Sequence, residues 1–149
     1  MALKTKKDFA IQASNIFSAM THSFNDKEKA ETIRFFLLTI TSRIATTFIM
    51  ECYLSDQKIT PSNVYDKLSP SYGSKSSFVN YVSLGKKRGY LIVKEDHNDK
   101  RRKYIYPSPA FIKIWCTFLA KTKGTEISSD INWNSIVDTA VKVRTKNNS

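Results

Sequence analysis

The sequence has little of what builds covalent frameworks, metal sites or enzyme centres. Its two cysteines, Cys52 and Cys116, stand alone with no C-x-x-C spacing. That argues against a disulfide framework or a zinc site and fits a reducing compartment. Both thiols are expected to be buried; Cys52, with Glu51 and Tyr53 beside it, has no cation to make it a redox sensor. Four glycines form no phosphate-cradling loop. The two histidines are His22, read as a surface residue near a helix end, and His97. The acids are scattered, so no catalytic constellation can be assembled. No enzyme activity, metal or cofactor is expected. Negative charge is scarce too, with 13 acidic against 24 basic residues and a formal charge of +11, which makes a polyanion a natural partner. The most apolar stretch, Phe35 to Leu54, is interrupted by Arg43 and several hydroxyl residues, whereas a membrane span needs about 20 mostly apolar residues. The first residues lead into no apolar signal core. A cytoplasmic, nucleoid-associated protein with no membrane partner is expected.

What is present suits one compact domain over residues 1–149, with 41% hydrophobic residues for a core. Phe9, Ala13, Ile16, Phe17, Met20 and Phe24 predict a one-faced helix over 7–24. A long helix is expected from Lys27 to Tyr53 with two apolar stripes. One runs Ile33, Leu37, Ile40, Ile44, Phe48 and Cys52; the other runs Phe35, Leu38, Ala45, Ile49 and Tyr53. Such a helix is central or shared between subunits. Thr60-Pro61 predicts a helix start, and the helix extends to about Leu68. A turn at 69–73 precedes a second helix from Ser74 to Arg88, ended by Gly89. Tyr90 to Glu95 and Arg102 to Pro107 read as strands. Phe111, Ile114, Trp115, Phe118 and Leu119 share one face of a following helix. Ser129-Asp130 caps a last one, with Ile131, Ile136, Val137, Ala140 and Val141 as its apolar side.

The expected fold is therefore mostly α with a small β-hairpin: a winged helix-turn-helix at about 54–107. In such a fold the helix after the turn enters the major groove of DNA, and a basic hairpin tip reaches phosphates or the minor groove. Charge follows this layout. Residues 86–103 carry eight basic and three acidic side chains, and no acid occurs between Ser74 and Lys94. With Phe78, Tyr81, Val82 and Gly85 facing inward, Ser76, Asn80, Ser83 and Lys87 fall opposite, where they can approach base edges. Lys75, Lys86, Arg88, Lys100, Arg102 and Lys103 would meet phosphates, with His97 and Asn98 beside them in the loop. The plainer alternatives are a solvated helix face and a charged tip that keeps an edge strand from aggregating.

Lys87-Arg88-Gly89-Tyr90-Leu91-Ile92 and Asp99-Lys100-Arg101-Arg102-Lys103-Tyr104-Ile105-Tyr106 resemble the MarR family of winged-helix transcriptional regulators, over about residues 59–107. The resemblance implies that Asp99, in a D-x-R pattern, orients Arg101 by an ion pair toward the minor groove, with Arg102 able to share the task. It also implies a two-fold dimer whose first and last helices interlock, placing dimerisation helices at about 7–53 and 109–145. Gly85 departs from the family, which usually has Leu there. Pro107-Ser108-Pro109-Ala110 likewise replaces its Thr-Pro-x-Gly. A small-molecule effector could sit between the long helix and the wing domain, where Phe48, Tyr53 and Trp115 are either its lining or core. The leading expectation is a homodimeric, sequence-specific regulator bound to double-stranded DNA. A winged-helix protein–protein assembly module and a nonspecific architectural DNA binder are the alternatives.

Overall fold

The computed structural model describes residues 2–68, 70–125, 127 and 131–133. Helix α1 (Lys6–Ser23) begins at a capping box: Thr5 accepts from the Asp8 backbone N–H while Asp8 accepts from that of Thr5. Asp26 caps α2 (Lys27–Leu37), and α3 spans Ile40–Leu54. The single helix expected over 27–53 is thus two helices, bent by 103° at the break. Thr39 is the reason. Its backbone is extended, its side chain accepts from Ser42 N–H, and Ser42 in turn accepts from Thr39 N–H. The orphan carbonyls ending α2 are satisfied across the bend. Ser42 Oγ donates to Phe36 O at 3.1 Å, and Arg43 Nε to Leu37 O at 2.8 Å.

Thr60 and Asn63 form the box that opens α4 (Pro61–Asp66). Ser74 caps α5 (Lys75–Lys87). Strands β1 (Leu91–Glu95) and β2 (Lys103–Pro107) pair antiparallel, Leu91 opposite Pro107 and Glu95 opposite Lys103. Ser108 caps α6 (Pro109–Thr122). Helix, turn, helix and hairpin follow one another from Pro61 to Pro107, the expected winged arrangement. The helix expected from Ser129 lies outside the described residues apart from Ile131 to Trp133. Among the described residues no single helix is long and apolar enough to cross a membrane.

One core joins these elements, drawing Ile33, Phe35 and Phe36 from α2, Ala45, Ile49 and Met50 from α3, Val64, Phe78, Leu91, Ile105 and Phe111. Phe35 is its hub. The ring stacks on Tyr81 at 5.1 Å and meets Tyr90 at 4.9 Å and Phe111 at 5.7 Å. Ile105 N–H donates to Ile59 O at 2.9 Å, tying β2 to the segment between α3 and α4. Helix α1 packs on α6, where Gln12 Nε2 donates to Thr122 O at 2.8 Å. That contact buries only Ala19 and Ser23 of α1. The apolar face read from the sequence points outward: Phe9 and Phe17 are 59% and 69% exposed, and Ile16, Met20 and Phe24 are exposed with them.

Candidate nucleic-acid interface

Helix α5 divides as its sequence predicts. Phe78, Tyr81 and Gly85 are buried and Val82 is half-buried. Phe78 packs on Tyr65 of α4 at 5.8 Å. The Tyr81 hydroxyl lies 2.7 Å from Thr46 Oγ1 of α3, and burial pushes its phenol well above the ordinary range. The departure at Gly85 has a steric cause. A Cβ there would come within 2.5 Å of Leu91 Cδ1 and 3.0 Å of Phe35 Cζ. The missing side chain lets β1 close against α5, and Leu91 and Phe35 fill the space that a larger residue would take. Gly89, at φ +78°, then turns the chain into β1.

The opposite face is open. Ser76, Asn80, Ser83 and Lys87 are exposed, as are Lys75, Lys86 and Arg88. Leu84, near the edge of this face, is half-buried and packs against the core. Arg88 stands apart from the base-facing set, in a separate groove with Glu31 and Arg34 of α2 and with Tyr90. None of these cations has a carboxylate within ion-pair distance among the described residues.

The wing loop is ordered by carboxylates. Asp96 N–H donates to Arg102 O at 2.7 Å, and Arg102 N–H to Asp99 O at 2.9 Å. The Asp96 carboxylate accepts from Asn98 N–H at 2.8 Å, from Asp99 N–H at 3.3 Å and from the Tyr104 hydroxyl at 2.9 Å. The Asn98 amide first, then the Tyr104 hydroxyl, holds this carboxyl below its ordinary range. Asp99 meets Arg101 twice, accepting from its backbone N–H at 3.0 Å and lying 3.4 Å from its Nε. The Arg101 side chain is 94% exposed, so the pair leaves the guanidinium in water, where an exposed ion pair is weak. His97, Asn98, Lys100, Arg102 and Lys103 are exposed around it. Arg101, Arg102 and Lys103 share a groove with Thr60, Pro61 and Ser62 at the start of α4, which adds Ser62 to the candidate surface. The sequence marks Tyr104 as a strand residue and gives Asp96 no role, and their contact was not expected. The signal was there: an Asp two residues before Asn98 is the pattern of an Asx turn.

Elsewhere the expected chemistry is muted. Tyr53 is buried in the core, and Phe48 and Trp115 pack half-buried against it. Phe48 lies under the Lys67 ammonium, 5.7 Å from its ring centroid. The Cys52 thiol is pushed up by burial and then by Glu51, and that of Cys116 by burial; both shifts work against thiolate reactivity. No group of three or more His, Cys, Asp or Glu among the described residues is placed to hold a metal.

No family model and no curated protein matches the chain. Among solved structures it is similar to the heme sensor protein PefR from Streptococcus agalactiae in complex with heme. The identity is 20% and the TM-score 0.44, covering 91% of this chain and 90% of that one. It is also similar to a protein from Bacillus cereus described as a MarR-like transcription regulator. There the identity is 13% and the TM-score 0.33, covering 95% of this chain and 90% of that one.

Proposed function

We propose that this chain is a homodimeric, sequence-specific regulator that binds double-stranded DNA, of the MarR type, acting in the cytoplasm. The observation that carries this is the surface of α5 and the wing. A helix-turn-helix presents an acid-free outer face, and the adjoining hairpin presents exposed cations around Arg101, which lies 3.4 Å from Asp99. On this reading Ser76, Asn80, Ser83 and Lys87 approach bases in the major groove. Lys75, Lys86, Arg88, Lys100, Arg102 and Lys103 hold phosphates, and His97 and Asn98 lie alongside. Arg101, held by Asp99, enters the minor groove. The exposed apolar residues of α1 support a second copy as the other half of the binding unit, because monomers rarely leave such a face bare.

Fluorescence anisotropy of the protein with random duplex DNA, across a salt series, tests the proposal. Log K is expected to fall with log salt at a slope near −0.9 for each phosphate neutralised. A preferred site should then emerge from selection on a random library. Steep salt dependence without any preferred site would leave a nonspecific architectural binder. Failure to bind any duplex at low salt would exclude DNA and favour a protein-assembly module.

A further inference from the structure

We propose that Thr41 and Thr46 of α3 are positioning residues that set the pitch of α5 for base reading. The inference rests on the DNA-binding reading above. Both side chains are buried, at 3% and 1% exposure. Thr41 Oγ1 donates to Tyr72 O at 2.6 Å, in the turn just ahead of the Ser74 cap. The approach is so close that a Cβ on Gly73 would run into the Thr41 hydroxyl. Thr46 Oγ1 meets the Tyr81 hydroxyl at 2.7 Å, in the middle of α5 and one residue from Asn80.

Packing of Phe78, Tyr81 and Gly85 already seats α5; the two bonds, at its entry and its midpoint, add directional contacts to that packing. At Thr46 and Tyr81 hydroxyls are a costly way to fill this space, since valine and phenylalanine would occupy nearly the same volume with nothing polar to desolvate; at Thr41 the hydroxyl also satisfies the Tyr72 carbonyl. What the polar pair adds over packing is direction. A base-reading side chain needs that, because its contacts fail when its helix is slightly misplaced. Phe35 of α2 stacks on the same Tyr81 ring at 5.1 Å, so the two bonds orient α5 within a core that α2 and α3 both line.

The test compares Thr41→Val, Thr46→Val and the double variant Thr46→Val/Tyr81→Phe, which leaves no orphaned hydroxyl, with Thr41→Ser and Thr46→Ser, which keep the bond. A site is first selected from a random duplex library with the wild type. Each variant is then measured for thermal midpoint, for salt slope, and for the ratio of affinities between selected and random duplex. The expected result for the double variant and for Thr41→Val is a ratio lowered about tenfold, the size of one good base contact. The salt slope should stay unchanged, and both serine variants should keep the wild-type ratio. An unchanged ratio in the folded double variant and in Thr41→Val would overturn the proposal, as would an equal loss in the serine variants. Should the double variant fail to fold, Thr41→Val against Thr41→Ser decides. A wild type that binds no duplex, or binds without preference, removes the DNA reading itself and this proposal with it. That outcome is recognised before any variant is made.

Discussion

The outer faces of α1 and α5 are both bare in the single chain, and they are opposites. Helix α1 exposes Phe9, Ile16, Phe17 and Met20, with Phe24 just beyond its end. Helix α5 exposes Lys75, Ser76, Asn80, Ser83, Lys86 and Lys87. Water tolerates the second face without help, because cations and hydroxyls keep their hydration. The first face leaves apolar area in water, at roughly 25 cal/mol for each Å² that a partner could cover. The difference teaches what kind of partner each face can take: another apolar surface for α1, and a polyanion for α5.

That contrast can be broken in several ways, and the largest effect is expected on α1. Phe17→Glu puts a charge in the middle of the apolar face, and sedimentation is expected to find a dimer for the wild type and a monomer for the variant. Duplex affinity should fall by about a hundredfold as the second half-site is lost. A dimer that survives the substitution would move the interface away from α1. On α5, Asn80→Ala should weaken binding to the preferred site by roughly 1–3 kcal/mol. The loss should vanish once one base pair is changed, so equal binding of mutant and wild type to every single-base variant would remove Asn80 from base reading. Arg101→Ala should act on all sequences alike: a few-fold weaker binding in anisotropy titrations, and a salt slope shallower by about 0.9.

The smallest effect is expected from Asp96→Asn. The folded carboxyl lies below its ordinary range, so its contribution to wing order is complete above the unfolded value of about 3.9. It is lost as pH falls through the lower folded value. The variant at neutral pH should resemble the acidified wild type, with faster hydrogen exchange at Asn98 N–H, after correction for intrinsic rates, and an unchanged unfolding midpoint. Exchange identical to wild type would mean that the wing is held by strand pairing alone.

The sequence was most legible where its signals are local. Thr60-Pro61, Gly89 and the two strand runs bounded the helices and the hairpin within a residue or two, since caps, breakers and β-branched runs act over a few positions. The Asp99–Arg101 ion pair was legible only through the family resemblance and not through any local rule. The bend at Thr39 was hidden because apolar residues continue across it from Leu37 to Ile40 with no proline or glycine. Its real mark was a Thr-x-x-Ser box, a weaker pattern than the usual acidic or amide partner. The inward contacts of Thr41 and Thr46 lie 31 and 35 positions away, and Gly85 is crowded by Phe35 of α2 as well as by Leu91, so no short stretch contains them. Which ligand the α5 face takes leaves no mark in the sequence, because exposure permits a contact without choosing its partner.

The position of Phe35 has a consequence for how separable this molecule is. Its ring stands in α2, ahead of the bend, yet Tyr81, Tyr90 and Phe111 all lean on it. A fragment cut at residue 54 would carry every side chain proposed to meet DNA and still lack the wedge that its own helix and strand close around. The winged unit is therefore not a transplantable module. Its graft onto another scaffold should succeed only if an aromatic wedge travels with it.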